Sequence, residues 1–87
     1  MKLTQQDIEA AVVHEQYHVF PGTTVTVCCL TLRNGFSTIG KSACALPANF
    51  NAEMGRTIAR ENAIEAVWEL EGYLLKQRLS ESSASGS

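Results

Sequence analysis

"TTVTVCCLTLRNGFSTIGKSAC", Thr23 to Cys44, decides the fold. Its first half is dense in β-branched residues, and Asn34-Gly35 is a strong hairpin signal, since a two-residue type I′ turn needs positive φ at both central positions. Two antiparallel strands are predicted, over about residues 23–33 and 36–45. With that turn, residues whose numbers sum to 69 stand opposite one another. Leu30, Leu32 and Ile39 then share one face, suited to packing against a helix. The other face carries Val27, Cys29, Thr31, Thr38, Gly40 and Ser42. Its middle is small and polar, and Gly40 marks a place where a backbone or a ligand comes close.

Upstream, Thr4 and Asp7 approximate a capping box, and Ile8, Ala11 and Val12 repeat at helical spacing behind it. A short helix over about residues 5–16 is predicted, ending before Pro21-Gly22. Downstream, Asn49 is placed to cap a long helix through "FNAEMGRTIARENAIEAVWELEGYLLKQRL", Phe50 to Leu79. Gly55, Ala59 and Ala63 form a stripe of small residues along it, and Met54, Ile58, Ile64, Val67, Leu70 and Leu74 supply apolar faces. Thirty residues make roughly 45 Å of helix, while a compact chain of this length is about 30 Å across. The helix therefore overhangs its own domain. Either it breaks near Gly72 or its far half packs on another copy. Residues 80–87, "SESSASGS", read as a disordered polar tail.

The reading is thus one α+β domain over residues 1–79, in the order αββα. A two-stranded hairpin is marginal alone, and two helices cover only one of its faces, so a homodimer or tetramer is expected. The long helix would cross its mate near Gly55 and Ala59 or near Leu74 and Leu75.

Eighty-seven residues support a single core. The net charge of −2 has the wrong sign for non-specific nucleic-acid binding. No apolar run approaches the length of a membrane span, and "MKLTQQDIEAA" lacks the core of a signal peptide, so the chain reads as cytoplasmic. Three cysteines, two of them adjacent, do not make a disulfide framework or a zinc motif; Cys28, Cys29 and Cys44 read as reduced packing residues. His14 and His18, the only histidines, would lie at i, i+4 near the end of the first helix, with no third ligand and no nucleophile in evident reach. Neither an enzyme nor a metal centre is expected, and no cofactor.

Arg56 and Arg60 stand out. They are like charges at i, i+4 near a helix N-terminus, where the helix dipole disfavours cations. Either Glu53, Glu61 and Glu65 compensate them in a solvated salt-bridged face, or they close over the polar hairpin face. In the second case Arg33 and Lys41 would stand at the margins of a cationic pocket floored by Thr31, Thr38, Gly40 and Ser42, with Lys41 serving a neighbouring subunit. Such a pocket suits phosphate.

The turn "LTLRNGF" together with "GKSA", "NF", "GRTIARENA" and "WELEGYLL" is similar to a family of small tailed-phage accessory proteins, the phage Gp-forty-nine/gene-sixty-six family, over about residues 8–79. The resemblance implies phage or prophage origin and early or accessory use, with no established activity, cofactor or catalytic residue. The function expected on these grounds is non-enzymatic binding against a host process in the host cytoplasm. The ligand would be a nucleotide-like anion, such as a cyclic-nucleotide immune signal, held at a subunit interface by Arg56, Arg60, Arg33, Thr31, Thr38, Ser42 and Lys41. The alternative is a protein–protein inhibitor of a host factor working through an exposed helix face; weak nucleic-acid binding is a third reading, disfavoured by charge.

Overall fold

A computed structural model describes residues 2–86, with side chains described for residues 2–83. The order is α1 (Gln5–Ala11), β1 (Val12–Val19), β2 (Thr26–Leu32), β3 (Ser37–Ser42), a 3-10 turn (Pro47–Asn49) and α2 (Ala52–Gly86). The three strands form one antiparallel sheet in the order β1-β2-β3. The α+β class expected from the sequence is the one observed, with one strand more.

That strand is β1, where the sequence reading continues the first helix to residue 16. The capping box does form, Thr4 Oγ1 accepting from the Asp7 amide and Asp7 Oδ2 from the Thr4 amide. The helix nevertheless stops at Ala11. Seven residues make too few hydrogen bonds to hold a helix without tertiary help, and the following "VVHEQYHV" is rich in residues that favour strands. Pairing with β2 also gives the central strand its second neighbour. A shift in register between Val12 and His14 marks a bulge at the helix-to-strand join.

The hairpin register is displaced by one residue from the expected one. Leu32 faces Phe36 across a three-residue loop, the Leu32 amide donating to Phe36 O at 2.7 Å and the Gly35 amide to Leu32 O at 2.8 Å. Gly35 alone takes positive φ in this turn, and the Asn34 side chain instead accepts from the Phe36 amide. The two-residue I′ turn is thus replaced by a three-residue loop closed by a left-handed glycine. A one-residue slip transfers every β3 side chain to the other face. Cys28 pairs with Gly40, Leu30 with Thr38 and Thr26 with Ser42. Ile39, expected beside Leu30 and Leu32, is exposed on the opposite side.

The small hydroxyl residues of β3 therefore lie under α2, in the core face. A Cβ on Gly40 would collide with Ala59 O and Ala63 N of the helix backbone. Thr38 Oγ1 donates to Ala63 O at 3.1 Å, and Ser42 Oγ to Gly55 O at 2.8 Å. One on Gly55 would stand 2.9 Å from Thr26 Oγ1, which is buried without a hydrogen-bond partner among the described residues. The stripe Gly55, Ala59 and Ala63 is thus used within the chain, against its own sheet. Ile8, Ala11, Cys28, Leu30, Leu32, Ile64 and Val67 complete the core.

Asn51, two residues later than expected, caps α2 by accepting from the Met54 amide at 3.1 Å. The helix passes Gly72 without a break and continues through residues 80–86, the segment read from sequence as a polar tail. Thirty-five residues make about 52 Å of helix. The molecule accordingly measures 61 × 21 × 18 Å.

Candidate functional site

The residues read as a ligand site are distributed over four regions. Thr38 and Ser42 are spent on the α2 backbone beneath the helix. Thr31 and Lys41 sit on the outer face of the sheet, and the Lys41 carbonyl accepts from Asn62 Nδ2 at 2.8 Å. The four do not form a common floor. The register change is the physical reason, since it separates Thr38 and Ser42 from Thr31.

Arg56 and Arg60 do share a shallow recess, with Glu15, Tyr17, Glu53, Thr57 and Glu61 around them. Arg60 is held by carboxylates that lie far away in sequence. Its Nη2 and Nη1 donate to the two oxygens of Glu9 at 2.6 and 3.1 Å, and its Nε donates to Glu15 Oε2 at 2.8 Å. Hydrogen bonds from Arg60 hold the Glu9 carboxyl below its ordinary range, and those from Glu9 and Glu15 raise the Arg60 guanidinium further. This fork ties α2 to both α1 and β1. Arg56 makes no hydrogen bond or ion pair among the described residues and is exposed. Three carboxylates against two guanidinium groups give the recess little attraction for an anion.

The histidines also change place. In β1, His14 and His18 lie on the outer face, and four residues of strand separate them by about 13 Å, well beyond the i, i+4 spacing of a helix. His18 instead meets Phe20 edge to face, ring centroids 4.7 Å apart. All three cysteines are free thiols. Cys28 is buried against α2, and burial pushes its thiol up. Tyr17, beside it, is pushed up to about 12, again chiefly by burial.

Arg33 belongs to a different constellation. It projects from the hairpin turn, with Nη2 3.2 Å from Glu71 Oε1 of α2. There the helix leaves the sheet and a groove of about 410 Å³ opens, whose walls include Phe36, Leu70, Tyr73, Leu74, Arg33 and Arg78. Phe36 is 58% exposed and Tyr73 72% exposed. Two aromatic rings and two guanidinium groups thus converge on one half-open apolar groove. Of these residues the sequence reading singles out Arg33 for binding and counts Leu70 and Leu74 among the apolar faces of the long helix. Phe36 and Arg78 carry no local signal, because only the turn geometry and the unbroken helix bring them together.

No helix among the described residues is long and apolar enough to cross a membrane, and no group of three or more metal-ligating side chains occurs among them. No curated protein and no solved structure matches the chain. The family model described as Phage protein (N4 Gp49/phage Sf6 gene 66) matches residues 3–79, nearly the whole of the described fold. The chain belongs to that phage protein family.

Proposed function

We propose that this protein works without catalysis, as a phage accessory protein that binds a nucleotide-like anion of the host cytoplasm in the groove between the hairpin turn and α2. The observation that supports this reading is the pairing of exposed aromatic rings with guanidinium groups: Phe36 and Tyr73 beside Arg33 and Arg78. Aromatic faces stack on bases, and arginine binds phosphate in a planar fork. About 410 Å³ lies within the range of small-molecule sites. The groove is open on one side, and α2 extends past it, so a second copy packing along Leu74 and Leu75 would close it. Homodimers or tetramers follow, with the ligand at the subunit interface. A cyclic-nucleotide signal of host immunity is the ligand class that best suits these groups and a phage origin.

The second reading, inhibition of a host protein through a helix face, draws support from Met54 and Ile58, exposed one turn apart on α2. The deciding experiment is calorimetric titration of a panel of cyclic nucleotides into wild type, Arg33→Ala, Tyr73→Ala and Arg56→Ala, with sedimentation equilibrium on each. Binding that is lost in the first two variants and kept in Arg56→Ala supports the groove. If no nucleotide binds wild type, the helix-face reading takes its place.

A further inference from the structure

The two edges of the sheet are finished differently. Along β3, Lys41 brings a charge and its carbonyl accepts from Asn62 Nδ2, so α2 closes that edge. β1 forms the other edge, eight residues long, and holds neither lysine nor proline. The Phe20 amide donates to Val25 O at 3.2 Å, and strand alternation then turns the backbone groups of His18, Gln16 and His14 toward β2. Those of Glu15, Tyr17 and Val19 point outward, and nothing among the described residues bonds them. α1 leaves them clear, since Glu9 draws it over the sheet toward Arg60 of α2.

A free edge of this kind takes up another strand through backbone hydrogen bonds. Independently of the groove, we infer that the β1 edge is a dimer interface whose occupant is β1 of a second copy, antiparallel about a two-fold axis, so that two three-stranded sheets become one of six strands. The inner faces stay together, and outward backbone groups meet one another, only where paired residue numbers have an even sum. Sums of 30 and 32 each pair seven of the eight residues, 12–18 and 13–19 respectively. Charge chooses between them. A sum of 30 sets Glu15 directly against Glu15 of the second copy, a destabilising pair of like charges. A sum of 32 sets Glu15 against Tyr17 of the second copy, His14 against His18, and Gln16 against its own equivalent at the axis.

That register also answers Arg56. Its guanidinium makes no ion pair among the described residues, and it shares the recess at the inner border of β1 with Tyr17. Glu15 of the second copy arrives opposite Tyr17 and offers Arg56 a carboxylate from across the interface. Symmetry makes the contact twice.

The test combines sedimentation equilibrium with disulfide trapping. Wild type should show a concentration-dependent equilibrium between the mass of one chain and twice that mass. Opposed residues of a non-hydrogen-bonded pair stand about 4.5 Å apart at Cα, within reach of a disulfide. Gln16→Cys, in a Cys29→Ala/Cys44→Ala background, should therefore give a covalent dimer on copper-phenanthroline oxidation, and Ile39→Cys on β3 should not. His14→Cys mixed with His18→Cys, which the same register brings together, serves if the first variant melts too low. Arg56→Glu should weaken the dimer about tenfold, since a modest partly exposed pair becomes a repulsion at two symmetric places. A wild type that stays monomeric at every concentration and gives no trapped dimer overturns the inference. A dimer that Gln16→Cys and the mixed pair both fail to trap, or that Ile39→Cys traps instead, moves the contact elsewhere and overturns it as well. Trapping at Gln16 with Arg56→Glu unchanged keeps the edge and overturns the role given to Arg56.

Discussion

Gly40 shows how much one missing methyl group can decide. Because Ala59 O and Ala63 N occupy the space where its Cβ would be, the helix axis lies closer to β3 than any other residue would allow. Gly40→Ala must push backbone against backbone, and overpacking of this kind costs about 1–3 kcal/mol or more. Urea unfolding should show the midpoint falling with an unchanged slope. A second residue-scale expectation concerns Tyr17. Its folded pKa of about 12 lies above the ordinary 10.0, so its contribution to stability is complete below pH 10 and is lost as pH rises toward 12. Tyr17→Phe should therefore flatten the alkaline limb of the stability profile measured by thermal melts. The mid-strand glycine and hydroxyl row were legible in the sequence as a face on which something settles. That the occupant is the chain's own helix was not, because Asn34-Gly35 suits both two-residue and three-residue loops and only tertiary packing chooses between them.

At the scale of elements, the Arg60 fork fastens α1 and β1 to α2, since Glu9 comes from one and Glu15 from the other. The sequence marked Arg60 as a cation in need of an acid but sought that acid on its own helix. Spacing within α2 could not reveal Glu9 or Glu15 while β1 was read as helix, because the strand is what brings Glu15 to the inner side of the sheet. The groups are partly exposed, so Arg60→Ala should cost only about 1 kcal/mol. Arg56→Ala should be within about 0.5 kcal/mol of wild type. Glu9, held below its ordinary 4.5, stabilises the fold above that pH, and its contribution is lost as pH falls further through the lowered value. Acid titration followed by circular dichroism should show that part of the loss in wild type and not in Arg60→Ala. The body of the long helix was legible from its apolar spacing and small-residue stripe, whereas its Asn51 cap and its run past Gly72 through residues 80–86 were not. The groove at its departure from the sheet was only half legible, because the surplus of apolar residues after Gly72 signals an uncovered surface without naming the turn that borders it.

Taken whole, the molecule is a small sheet with a rod laid across it. Its radius of gyration, 16.5 Å, exceeds the roughly 12 Å of a compact chain of this length, and the excess comes from α2. Residues 80–83 on that helix are exposed, so deleting residues 80–87 should shift the melting temperature by no more than about 0.5 kcal/mol of stability would. Differential scanning calorimetry of the shortened chain checks this. The close seat of α2 on Gly40 has a mechanical corollary. The seat acts as a fulcrum, and from Ala63 to Gly86 the helix runs about 35 Å. A tilt of about five degrees at the seat carries the tip through roughly 3 Å, as far as a hydrogen bond is long. Side chains hidden under the middle of the helix thereby set the aim of its far end, and a change too small to unfold the sheet can still redirect it.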